Sequence, residues 1–114
     1  MNPETIIQND ILVALSAHGC LMIRTNTGTV KTVDGRMFTA GPPNGWPDLS
    51  GYRKADGRMI LVEVKTAKGR LRDDQKHMAK IFSKTPGLIY GVCRSAEDAI
   101  KLVDSVPVIK EGES

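Results

Sequence analysis

Asp48, preceded by Pro47, and the Glu63-Val64-Lys65 group fifteen residues later are the positions whose types and spacing suit chemistry. The second group ends an apolar run, Met59-Ile60-Leu61-Val62-Glu63-Val64-Lys65, that reads as a β-strand. Side chains in a strand alternate faces, so Glu63 and Lys65 point one way while Val62 and Val64 enter the opposite layer. An acid among those aliphatic residues is costly to bury unless something pairs with it. A strand near Asp48 brings both carboxylates to one divalent cation, with Lys65 beside them. That is the minimum equipment for metal-assisted phosphodiester hydrolysis. Lys65 can offset charge developing on the scissile phosphate or orient the attacking water.

The elements that must hold these groups are legible in outline. Asn2-Pro3-Glu4 is a helix start: a capping side chain, a proline at the first helical position and an acid near the positive end of the dipole. Ile7, Ile11, Leu12 and Leu15 recur at helical spacing, and Gly19 supplies the stop. Residues 20–24 form a short strand. Segments 29–33 and 36–39 flank Asp34-Gly35, a strong hairpin signal, so residues 25–45 are expected to project as an inserted β-ribbon. Strands are expected over 48–52 and 59–65, antiparallel across the Asp56-Gly57 turn. A basic loop at 66–70 leads to a helix opening at Asp73 or Asp74 and running to Phe82, with Met78, Ile81 and Phe82 inward. Residues 88–93 read as a buried strand, Ser95 caps a short helix whose apolar stripe ends at Val103, and 106–109 adds an edge strand before a fraying tail at 111–114. The order, α-β-hairpin-β-β-α-β-α, describes an α/β fold with a mixed sheet flanked by helices, one domain over residues 1–114.

Composition narrows the partners. Hydrophobic residues make up 40% and charged residues 25% of the chain, an ordinary globular balance. Aromatics are only 4%, which argues for an aliphatic core and against an aromatic platform for stacking bases. The net charge is +3, but between Arg53 and Lys84 ten basic residues face four acidic ones, a local +6 around the carboxylate–lysine strand. Positive charge concentrated about a metal-binding pair suits a polyanion such as nucleic acid. Lys68, Arg70, Arg72 and Lys76 are the expected phosphate contacts, with Arg24 and Lys31 extending the track. Cys20 and Cys93 sit among apolar residues without metal-ligand spacing and are expected as buried thiols. No apolar segment approaches a membrane span and the N-terminus lacks an export signal, so the expected location is cytoplasmic. His18 and His77 carry no base or metal pattern, and Trp46 is read as packing near its turn.

The ordered combination of these residues resembles the PD-(D/E)XK nuclease superfamily, and within it the small stand-alone VRR-NUC group of phages and bacteria. The resemblance rests on Gly45-Trp46-Pro47-Asp48-Leu49, then Glu63-Val64-Lys65, then Gln75 on the following helix, with Glu4 in the first helix; it spans roughly residues 4–93. The chain departs from the pattern between Arg24 and Gly45, where small members pass through a short loop. The resemblance implies a restriction-endonuclease-like core that hydrolyses DNA with Mg²⁺ or Mn²⁺. Asp48, Glu63 and the backbone carbonyl of Val64 would be the ligands, and Glu4 a further or supporting one. It also turns the Gln75 amide to the site, bonded to a water, a phosphate or Lys65. Holliday junction resolvases share the core, so branched DNA and a homodimer making paired cuts are expected, in a bacterial cytoplasm or that of a phage's host. The competing readings are a nicking or restriction-type nuclease on duplex or flap DNA, and a binding module without catalysis.

Overall fold

The computed structural model describes residues 2–25, 28–31, 33–40 and 42–109, with the backbone alone over 28–31 and 37–40. The elements run α1 (Pro3–Ala17), β1 (Cys20–Arg24), β2 (Gly28–Lys31), β3 (Met37–Ala40), β4 (Leu49–Arg53), β5 (Met59–Val64), α2 (Asp73–Ser83), β6 (Ile89–Cys93) and α3 (Ala96–Asp104). Four strands form one sheet in the order β1-β4-β5-β6, and β2-β3 form a separate two-stranded ribbon. β4 is antiparallel to both β1 and β5, while β6 lies parallel to β5. Only a crossover can join parallel neighbours, and α2 is that crossover. The α/β class and the order of elements are as the sequence indicates.

Local chemistry sets the helix ends. The Asn2 Oδ1 accepts the Glu4 N–H at 2.8 Å, Pro3 opens α1, and Gly19 turns the chain out of it with φ +82°. The Ser95 side chain accepts the Asp98 N–H at 3.1 Å and so caps α3. The core lies between one face of the sheet and these two helices. Ile60, Val62 and Val64 of β5, with Leu49, Ile89 and Cys93, pack under Ile11 and Leu15 of α1 and Ala99 and Val103 of α3. Both cysteines are free and buried there; burial first, and then Asp98, pushes the Cys93 thiol up to about 12.

The opposite face receives α2. Phe82 is buried between Trp46 and Tyr90, its ring centroid 5.3 Å from each. Gln75, Met78 and Phe82 form the stripe at i, i+3 and i+7, and Ile81 lies about 100° round the helix from Phe82. Ile81, expected inward, is accordingly 48% exposed.

Residues 106–109 do not form the expected edge strand. Arg53 occupies their carbonyls instead. It donates from Nη1 to Val103 O at 2.8 Å and Val106 O at 2.6 Å, and from Nη2 to Pro107 O at 3.1 Å. The same guanidinium grips Asp56 through two bonds, 3.0 and 2.6 Å, and Asp56 Oδ2 accepts the Ile109 N–H. A buried arginine fork thus straps the C-terminal segment to the β4–β5 turn, in place of a strand ladder. The hydrogen bond from Arg53 holds the Asp56 carboxyl well below its ordinary 3.8, against the upward push of burial. The stability this contributes is full above that ordinary value and is lost progressively below it, as pH falls toward and through the depressed one. Arg53→Met should lower the melting temperature by more than ~10 °C, because it strips a buried carboxylate of its two guanidinium bonds and leaves the carbonyls of Val106 and Pro107 without their donor. Thermal denaturation at pH 7 measures it.

Among the described residues no helix is long and apolar enough to cross a membrane. The tail at 111–114 lies outside the described residues.

Candidate active site

Strand register brings the two carboxylates together. Leu49 pairs with Val62 and Ser50 with Leu61, so one further step along both strands sets Asp48 across from Glu63. Leu49 and Val62 face the α1–α3 core, and alternation therefore turns Asp48, Glu63 and Lys65 to the α2 side. Asp48 sits just beyond the ladder, where its Oδ2 accepts the Val64 N–H at 2.8 Å. The N–H and C=O of one strand residue point to the same edge, so the Val64 carbonyl is also directed to the Asp48 side. The Lys65 N–H points the other way, to Cys93 O of β6 at 3.1 Å.

The turn that carries Asp48 leans on α2. Gly45 has φ +88°, and a Cβ there would stand 2.5 Å from the Asp74 carbonyl oxygen and 3.0 Å from Met78 Cγ. Only glycine gives both this conformation and this approach, which ties the Asp48 turn to the helix bearing Gln75. Trp46 donates from Nε1 to Ser50 Oγ at 3.2 Å and packs on Phe82, so it is a packing residue at the turn.

Glu63 is 1% exposed. Its Oε1 accepts from Gln75 Nε2 at 3.0 Å, while Gln75 Oε1 accepts the Arg72 N–H at 2.9 Å. The second bond is half of a capping box at the start of α2; Arg72 has no acceptor with which to complete it. Gln75, expected to bond a water, a phosphate or Lys65, instead joins the helix terminus to Glu63. Burial first, then the hydrogen bond and charge of Asp48, push the Glu63 carboxyl from its ordinary 4.5 up to about 9, with Lys65 and Arg72 pulling it down. Two carboxyls this close do not both ionise, and Glu63 keeps the proton at neutral pH. Lys65 is 8% exposed, and no carboxylate among the described residues lies within ion-pair distance of it. Tyr90, opposite Leu61 on β6, also borders the pair: burial, and then Glu63, raises its hydroxyl.

The donors assembled here are all oxygens: two carboxylates and a backbone carbonyl. That set suits a hard divalent cation, and a cation would hold together what a proton holds in its absence. The described residues contain no group of three or more His, Cys, Asp or Glu side chains placed to hold a metal, and Glu4 stands in the first turn of α1.

The VRR-NUC domain family model matches residues 4–97, which takes in every one of these groups. The chain belongs to the VRR-NUC domain family. VRR-NUC domains are part of the PD-(D/E)XK nuclease superfamily, and a nuclease-type function follows. Among solved structures, a chain described as a VRR_NUC domain is similar, with TM-score 0.65 and 21% identity over 94% of this chain and 100% of its own. That likeness speaks for the fold. Comparison with curated proteins found no match.

The basic residues of this VRR-NUC domain divide between the two sides of the sheet. Lys68, Arg70 and Lys76 lie on the loop and helix that follow Lys65, and Arg72 joins them with Asp74 3.3 Å from its Nε. Arg24 is placed apart from that track. It shares the α1 face with Met22, donating from Nε to Gln8 Oε1 at 3.3 Å and from Nη2 to Asn9. The backbone of Lys31 ends β2, and its side chain lies outside the described residues. His18 bonds Asp104 at 2.7 Å between the ends of α1 and α3, and His77 is exposed. Tyr90 and Arg94 are neighbours of the site that the sequence does not mark. Their place follows from the parallel pairing of β6 with β5, which no local pattern announces.

Proposed function

We propose that this VRR-NUC domain is a divalent-metal-dependent endonuclease that hydrolyses phosphodiester bonds in DNA. The observation that carries the reading is the cross-strand meeting of Asp48 and Glu63, with Lys65 on the same face and Gln75 bonded to Glu63. Asp48, Glu63 and the Val64 carbonyl would hold Mg²⁺ or Mn²⁺. Such a cation supplies an activated water and neutralises charge on the phosphate. The chain's own groups do the rest. Gln75 fixes the Glu63 carboxyl so that one oxygen stays turned toward Asp48. The Val64 N–H fixes Asp48 in the same way. Lys65, with no ion-pair partner among the described residues, is available to a phosphate oxygen whose charge grows as water attacks in line. In-line attack on phosphorus leaves 5′-phosphate and 3′-hydroxyl ends. Lys68, Arg70, Arg72 and Lys76 bind backbone phosphates without reading sequence.

Branched DNA, four-way junctions included, is the proposed substrate, cut by a homodimer in the cytoplasm of a bacterium or of a phage's host. A domain of this size has little surface of its own for reading a long sequence, which favours recognition of shape. The β2–β3 ribbon supports this choice. It leaves the sheet after Arg24 and returns before Asp48, and the Thr25 N–H bonds Asp48 O at 2.8 Å, so both its feet stand beside the site. We treat residues 1–114 as one nuclease domain with that ribbon inserted.

Cleavage of labelled four-way, flap, duplex and single-stranded DNAs with Mg²⁺ or Mn²⁺, alongside the protein's mass in solution, tests the proposal. Junction cutting without cutting of the linear arms is the expected result. No cleavage of any member would remove the nuclease reading for this chain.

A further inference from the structure

Arg94 immediately follows β6 and reaches back across the end of the sheet. Its Nη1 donates to Gly69 O at 2.7 Å and also to Thr66 O. Those two residues close a turn on themselves, Gly69 N–H to Thr66 O at 3.0 Å. The turn lies against the lysine of the site: a Cβ at Gly69 would stand 3.4 Å from Lys65 Cδ and 3.2 Å from Thr66 Oγ1, leaving no room between turn and stem for a side chain. Lys65 is thus a buried stem roofed by the turn that Arg94 ties down. Arg94 is itself anchored behind. Its N–H bonds Asp98 Oδ2 at 2.9 Å, and Asp98 is held by the Ser95 cap of α3. The connection runs from the α3 cap through Arg94 to the 66–69 turn, and from there to the Lys65 side chain.

We propose that Arg94 is a positioning residue for Lys65, setting where its ammonium stands relative to Asp48 and Glu63. The inference rests on the nuclease reading above. A lysine that acts on one phosphate oxygen must be held in place to within a fraction of an ångström, and a four-carbon stem has no such precision unless it is packed.

Two measurements test this. Amide hydrogen exchange on the metal-free protein reads the turn directly, whether or not the chain cleaves DNA. Arg94→Ala should raise exchange at Gly69 about tenfold or more while leaving Val62 in the core unchanged. Single-turnover cleavage at saturating DNA reads the consequence. Arg94→Ala should slow it by ~10- to 100-fold with DNA affinity within about threefold of wild type. In a Lys65→Ala background the same change should add no more than about twofold, since its effect passes through Lys65. An independent phosphate contact would instead weaken DNA binding, and its loss would multiply with that of Lys65. If Arg94→Ala fails to fold, Arg94→Gln takes its place in both measurements. Unchanged exchange at Gly69, a wild-type cleavage rate, or multiplicative losses would each overturn the proposal. Wild-type protein that cuts nothing would fault the nuclease reading, and the exchange result would still judge the arginine.

Discussion

Asp48→Asn should lower the single-turnover cleavage rate by ~10³-fold or more while DNA affinity holds or improves. The two outcomes separate because the proposal gives the residue a role besides the bond it makes in the fold. Its charge is one of the two carboxylates available to a cation, and the amide cannot replace it. Its oxygen accepts the Val64 N–H, and the amide oxygen of Asn can continue to do so. The fold should therefore survive. Removing a negative charge from a surface rich in lysine and arginine favours a polyanion, so binding is kept. Single-turnover kinetics and fluorescence anisotropy on the same junction measure the two effects. A variant retaining a tenth of the wild-type rate would exclude Asp48 from the chemistry.

Glu63→Gln should lose cleavage to a similar degree and, unlike Asp48→Asn, gain stability. Burial and the neighbouring Asp48 hold the Glu63 carboxyl at about 9 in the folded chain, against its ordinary 4.5. Between those two values the native state binds a proton that the unfolded chain has released, so wild-type stability falls as pH rises. Below 4.5 both states are protonated and the penalty vanishes. Glutamine cannot ionise and escapes the penalty, and its amide can still meet Asp48. In chelator at pH 8 the variant should melt several degrees above wild type, with the gap closing toward pH 4.5. Added Mg²⁺ should stabilise wild type and leave the variant where it was, because only an ionised Glu63 completes the ligand set. Melting curves across that pH range, with and without Mg²⁺, provide the check. A variant less stable than wild type at pH 8 would refute the account of Glu63 as a strained, buried acid.

On the proposed reading, a trade between function and stability at Glu63 explains why an acid stands in the middle of an apolar strand. Ile60, Val62 and Val64 make the strand bury itself, and the acid is carried inside with them. Gln75 and Asp48 make that burial tolerable without making it favourable. A site that keeps a proton between two carboxyls in the absence of metal is poised to exchange it for a cation.

Much of this is legible in the order of residues alone. Alternation along β5 separates Glu63 and Lys65 from Val62 and Val64, the Asp34-Gly35 signal marks the ribbon, and the caps at Asn2 and Ser95 place two helix starts. These are local properties, each decided by residues a few positions apart. The expectations that fail depend on distant partners. Residues 106–109 have a strand's composition, but Arg53, more than fifty positions earlier, takes carbonyls of that segment. Ile81 reads as well inward as Phe82, and the choice between them is made by Trp46 and Tyr90, which enclose Phe82.

The sequence by itself determined the inventory: two carboxylates, a lysine, a glutamine and a basic surround, on elements whose periods set the faces. Only the tertiary structure decided that Asp48 stands opposite Glu63, that Gln75 bonds Glu63, and that Arg94 ties the turn over Lys65. The reason is physical. Alternation and helical period follow from backbone geometry within a few residues, whereas strand register and helix rotation are chosen by which long-range arrangement buries the most apolar surface with its polar groups paired.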